Sequence, residues 1–117
     1  MPPALGSPLP VAEQAIVTRR KLEGYVLDPG HGDGRHKARV FRSALGIEAA
    51  DWRYLQKAIL VGVRDAPVSA IASTPYGFRC TVVLPIQGLN GRRHDVLTAW
   101  LVDGEGPPRL ITVYVDL

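Results

Sequence analysis

FRCTVVLPIQGLNGRRHDVLTAWLV, residues 78–102, decides the fold: two runs of alternating apolar and polar residues flank Asn90-Gly91. Alternation with period two marks a half-buried strand. Asn-Gly between two such runs marks a hairpin, because a two-residue type I′ turn needs positive φ at both central positions. A turn centred there predicts that Val83 faces Thr98, Thr81 faces Trp100 and Gln87 faces His94. Phe78, Cys80, Val82 and Leu84 then share one face with Leu97, Ala99 and Leu101, the expected core face. Arg79, Thr81, Val83, His94, Val96, Thr98 and Trp100 form the opposite, open face.

Downstream, Arg109 to Val115 reads as a third strand with Ile111, Val113 and Val115 inward and Leu110, Thr112 and Tyr114 outward. Val68 to Ser73 is a candidate fourth, so a sheet of three or four antiparallel strands is expected. Upstream the period is helical. Trp52, Leu55, Ile59 and Leu60 follow helical spacing in a segment from about Ala49 to Val63, ended by Asp65-Ala66-Pro67. Ala38, Phe41, Ala44 and Leu45 do the same in a helix from about Arg35 to Leu45, with Asp33 as the expected N-cap and Gly46 as the stop. Runs of helix followed by runs of strand predict an α+β fold, with N-terminal helices packed on one face of the antiparallel sheet.

Before those helices, Asp28-Pro29-Gly30 imposes a turn after the short apolar segment Lys21–Leu27. Residues 1–20 read as a leader, extended or disordered through a proline-rich start and with a short helix expected from Val11 to Thr18, and residues 21–117 as a single α+β domain. A chain of 117 residues with 46% hydrophobic side chains suffices for one core of ordinary size. No run approaches the ~20 apolar residues of a membrane span. The single cysteine, Cys80, excludes an internal disulfide and is expected in the core. A cytoplasmic location and no membrane association are therefore expected.

The net charge of +3 is compatible with a polyanionic partner, and its distribution says more. Seven of the 14 Lys and Arg residues lie between Arg19 and Arg42, about a fifth of the chain. Aromatic residues beside Arg and Thr on an open sheet suit single-stranded nucleic acid, since bases stack on rings while guanidinium groups hold phosphates. The same face also reads as an ordinary solvated surface. His31, in a glycine-rich loop before a basic helix, is placed to act as a general acid or base, or simply to sit at the surface. No nucleotide loop, dinucleotide fingerprint or H-E-x-x-H pattern is present, the serines lack a nucleophile motif, and three histidines without a carboxylate at ligand spacing give no basis for a zinc site or other cofactor.

The pattern Lys21-Leu22-x-Gly24-Tyr25-x-Leu27-x-Pro29-x-His31-x3-Arg35-x-Lys37-Ala38-x2-Phe41-x3-Leu45-Gly46 is followed by Thr74-Pro75-Tyr76-Gly77, Gly88-x-Asn90-Gly91-Arg92, Thr98-x-Trp100 and Pro108-Arg109-Leu110-x-Thr112-x-Tyr114. Together these motifs resemble an uncharacterised-domain family of bacterial toxin–antitoxin proteins and C-terminal domains of polymorphic toxins. Its layout is similar to the barnase, EndoU, colicin D and RelE-like ribonuclease toxins. That resemblance implies metal-independent RNA cleavage by 2′-OH attack on the adjacent phosphate. The matching positions would supply His31, Lys37, Arg92 and Thr98 as the catalytic group. Lys21, Arg35, Arg79, Trp100, Arg109 and Tyr114 would bind substrate. The expected partners are RNA and an acidic antitoxin or immunity protein. Where the family pattern reads Asn-Pro-Asp-His-Pro, this chain has Asp28-Pro29-Gly30-His31-Gly32, a looser loop around the histidine. A binding module without catalysis, or a toxin that transfers a nucleotide group, are the alternative readings.

Overall fold

The change of hydrophobic period near Pro67 is where helices give way to strands. The computed structural model describes residues 2–104 and 106–117. Helix α1 starts at Thr18, whose hydroxyl accepts from the Lys21 N–H (3.2 Å). It runs over Arg19–Lys21 and widens through Leu22–Val26, so that the Leu27 N–H reaches back five residues to the Leu22 carbonyl (2.9 Å). Helix α2 covers Arg35–Val40 and widens in the same way through Phe41–Leu45 before Gly46 ends it at φ 66°. A turn at Ala49–Asp51 leads into α3, Trp52–Gly62, with a reciprocal capping box between Glu48 and Asp51.

Four antiparallel strands follow in sequence order: β1 Val68–Thr74, β2 Gly77–Gln87, β3 Arg93–Val102 and β4 Arg109–Val115. The fold is α+β, three helices and then a four-stranded sheet. The core lies between the sheet and the apolar stripes of the helices: Leu22 and Val26 from α1, Phe41 and Leu45 from α2, Leu55 and Ile59 from α3.

The hairpin register differs from the expected one by a single residue. Val82 pairs with Thr98, Cys80 with Trp100 and Gln87 with Arg93. The loop is five residues long, closed by the Gly88 N–H donating to the Arg92 carbonyl (2.7 Å). Only Gly91 takes positive φ (83°); Asn90 does not. Instead, Asn90 ties the tip to the end of α2, its side-chain amide donating to the Ala44 carbonyl (3.1 Å), while the Leu89 N–H donates to the Leu45 carbonyl (2.8 Å).

A one-residue shift exchanges the faces of the partner strand. Val96, Thr98, Trp100 and Val102 therefore join Cys80, Val82, Leu84 and Ile86 in the core, and Leu97 and Leu101 are left half-buried on the other side. Ala99, also on that side, is nonetheless buried. In β4 a bulge opposite Ala99 and Trp100 lets Leu110 as well as Val113 and Val115 point inward, whereas Ile111 is half-buried and Thr112 is buried.

The residues before α1 are packed on the sheet. Gly6 and Ser7 exchange hydrogen bonds with Val68, Ile16 bridges to the start of β4, and Leu9, Ala12 and Val17 are buried. Between Val11 and Thr18 there is one short turn, Ala12–Gln14.

Candidate functional site

The widened turn of α1 presents Tyr25, and the loop that follows folds back over it. The approach depends on Gly34, where a Cβ would collide with the Tyr25 carbonyl. The expected cap at Asp33 is not made. Gly34 occupies the cap position of α2, and the His31 ring does the capping, its Nδ1 accepting from the backbone N–H groups of both Asp33 and Gly34 (3.0 Å each). An Nδ1 that accepts two hydrogen bonds carries no proton, so in the neutral ring the proton sits on Nε2, which is then a donor.

The His31 ring stands edge-on to Tyr25, with centroids 5.0 Å apart and planes at 67°. The Lys37 ammonium, from the first turn of α2, donates to the Tyr25 hydroxyl (3.2 Å) and lies 5.3 Å from the ring centre, while the Lys21 ammonium lies 5.9 Å away. Arg20, Lys21, Tyr25, His31 and Asp33 line an open cleft. The Tyr25 hydroxyl is held below the usual tyrosine range, first by the neighbouring Thr112 hydroxyl and then by the Lys37 ammonium, partly offset by burial. Thr112 Oγ1 is buried and makes no hydrogen bond of good geometry, so its effect on Tyr25 is that of a polar group close by rather than of an aligned bond. The arrangement is a phenol of lowered pKa beside the Lys37 and Lys21 ammonium groups, with the Asp33 carboxylate acting in the opposite direction, and an imidazole whose Nδ1 is an acceptor.

Of the residues singled out in the sequence, His31, Lys37 and Lys21 meet here. Thr98 and Trp100 do not, since both are fully buried. Trp100 Nε1–H donates to Thr98 Oγ1 (2.7 Å), whose own proton goes to the Val82 carbonyl (2.6 Å). This closed chain satisfies the polar side-chain atoms of Thr98 and Trp100, and the buried Trp100 leaves no ring face for a base to stack on. Arg92 is exposed on the hairpin tip beside Leu45, about 12 Å along α2 from Lys37 at the helical rise. Arg79 is exposed on β2, Arg109 on β4 beside Ile16, and Tyr114 on β4 opposite Leu97. Arg35 is exposed on α2 and lines a different cavity from the cleft at Tyr25.

Sequence reasoning missed Tyr25 as a site residue. Its position in the motif Gly24-Tyr25, ahead of a glycine-rich loop with a histidine, was the available signal. Among the described residues, no three His, Cys, Asp or Glu side chains come together to hold a metal ion, and no helix is long and apolar enough to cross a membrane.

A family model described as "Domain of unknown function (DUF6883)" matches residues 8–117. No curated protein matches the sequence. Among solved structures, one chain of a contact-dependent growth inhibition toxin–immunity protein complex from Klebsiella pneumoniae 342 superposes with a TM-score of 0.64 at 16% identity, over 89% of this chain and 93% of that one. At that identity the likeness is one of fold.

Proposed function

This chain belongs to the DUF6883 family, and from that premise we propose that it is the toxin of a toxin–immunity pair and cleaves RNA without a metal ion. The observation that carries the reading is the convergence of Lys37 and His31 on Tyr25, whose ring lines a cleft with Arg20, Lys21 and Asp33. The neighbour from a toxin–immunity complex supports the two-protein setting. A net charge of +3, with half of the Lys and Arg residues within residues 19–42, favours the toxin side of such a pair, with an acidic immunity protein as the complement.

In this reading the Tyr25 phenolate takes the proton of a ribose 2′-OH, and the 2′-oxygen attacks the adjacent phosphorus. The 5′-oxygen of the next nucleotide leaves with the proton held by Tyr25, and a 2′,3′-cyclic phosphate remains. Lys37 keeps the phenol ionisable. The His31 Nε2–H and the Lys21 and Arg20 cations offset the charge that builds on the phosphorane oxygens, where fixed donors lower the barrier most.

Incubating the purified protein with total RNA in EDTA tests this, alongside Tyr25→Phe, Lys37→Met and His31→Ala. Cleavage with 2′,3′-cyclic phosphate ends, reduced at least about 100-fold by Tyr25→Phe, is the expected result. Intact RNA with folded, partner-free wild type, or full activity in Tyr25→Phe, would sink the reading.

A further inference from the structure

Helix α2 has two basic flanks, and the cleft at Tyr25 uses only one. Arg35, Arg39 and Arg42 recur at intervals of four and three, which puts them on one stripe, about half a turn away from Lys37. All three are exposed, and among the described residues the only ion pair is Arg19–Glu23. The stripe forms one wall of a second cavity, of about 400 Å³, whose apolar lining includes Leu27, Pro29 and Ala49. Glu48 is the single acid in its wall, and that carboxylate already accepts the Asp51 N–H in the capping box before α3.

We propose that this cavity binds one unpaired nucleotide, with its phosphate on the arginine stripe and its base against the apolar lining. The volume lies within the range of about 300–1,000 Å³ typical of small-molecule sites. A planar guanidinium matches phosphate oxygens two at a time and also stacks on a base, and three of them on one helix face exceed what a single carboxylate requires. An acidic protein segment would satisfy the charges but leave the apolar lining empty. The cavity also adjoins the cleft: Pro29 lines one and His31 the other, with only Gly30 between them. A strand bound at Tyr25 would cross that loop and deliver a neighbouring nucleotide to the second cavity, which makes it a subsite for choosing the RNA. The biological role of the subsite rests on the ribonuclease reading, but the binding does not.

The test is an amide NMR titration of the intact protein with adenosine 5′-monophosphate, with ribose 5-phosphate and an octaglutamate peptide as competitors. Shifts centred on Leu27, Arg39 and Ala49, tighter for the nucleotide than for ribose 5-phosphate, are expected. Arg39→Gln with Arg42→Gln should weaken binding about tenfold or more. Equal binding of ribose 5-phosphate, tighter binding of octaglutamate, or no shift at these amides would overturn the proposal. RNA cleavage measured in parallel separates the two readings: nucleotide binding without cleavage removes only the ribonuclease, and cleavage without nucleotide binding removes only the subsite.

Discussion

Tyr25 is where chemistry concentrates, and two neighbours, Thr112 and Lys37, lower its pKa. With its pKa depressed by Thr112 and Lys37, Tyr25 should ionise first of the four tyrosines in an absorbance titration near 295 nm. Tyr25→Phe should delete that first step and Lys37→Met should move it upward. The sign for stability follows. The folded state favours the phenolate, so this contribution is complete above the ordinary tyrosine value of about 10 and fades as pH falls through the lower native value. Gly34→Ala would push the loop off the Tyr25 carbonyl and should lower the urea midpoint. Thr98 makes the opposite case, a polar residue whose whole role is inside the core. Thr98→Val strands the Trp100 N–H and should cost about 1–3 kcal/mol in urea unfolding. In the sequence Thr98 and Trp100 read as an outward pair because alternation assigns relative faces only; which face is buried depends on the register.

At the scale of elements, the joint between the β2–β3 tip and α2 sets that register. Asn90-Gly91 is a strong local signal for a tight turn, yet the Asn90 amide and the Leu89 N–H are taken by carbonyls at the end of α2, which has no later turn to satisfy them. The loop lengthens to five residues so that this contact forms. Asn90→Ala should therefore destabilise the protein by about 1 kcal/mol, read as a lower urea midpoint, and should raise amide exchange at Leu89 and Gly91 before the rest of β2 and β3. Helix α2 itself was legible: the spacing of Ala38, Phe41, Ala44 and Leu45, and the stop at Gly46, appear as expected. Its cap was not, because a histidine accepting backbone N–H groups is a rarer solution than the aspartate two residues on.

Across the whole molecule, the N-terminal stretch and the sheet hold one another. Leu9 is buried and residues 6 and 7 extend the hydrogen bonding at Val68, so deletion of residues 2–10 should cost about 1.5–3 kcal/mol for Leu9 alone and lower the thermal midpoint. The leader looked detachable in sequence because prolines and missing charge say nothing about what an extended segment lies against. What the sequence by itself determined is the set of local choices: helices then strands, the apolar stripe of each helix, the basic character of residues 19–42, and the inward Cys80, Val82 and Leu84 of β2, though not Phe78, which is exposed at the strand's start. These follow from periodicity and charge, which act over a few residues. What only the tertiary structure decided is the register of β3, the burial of Thr98 and Trp100, and the meeting of Tyr25 with His31, Lys37 and Thr112. Each of those rests on contacts between residues far apart in the chain, whose energies have no imprint on local pattern.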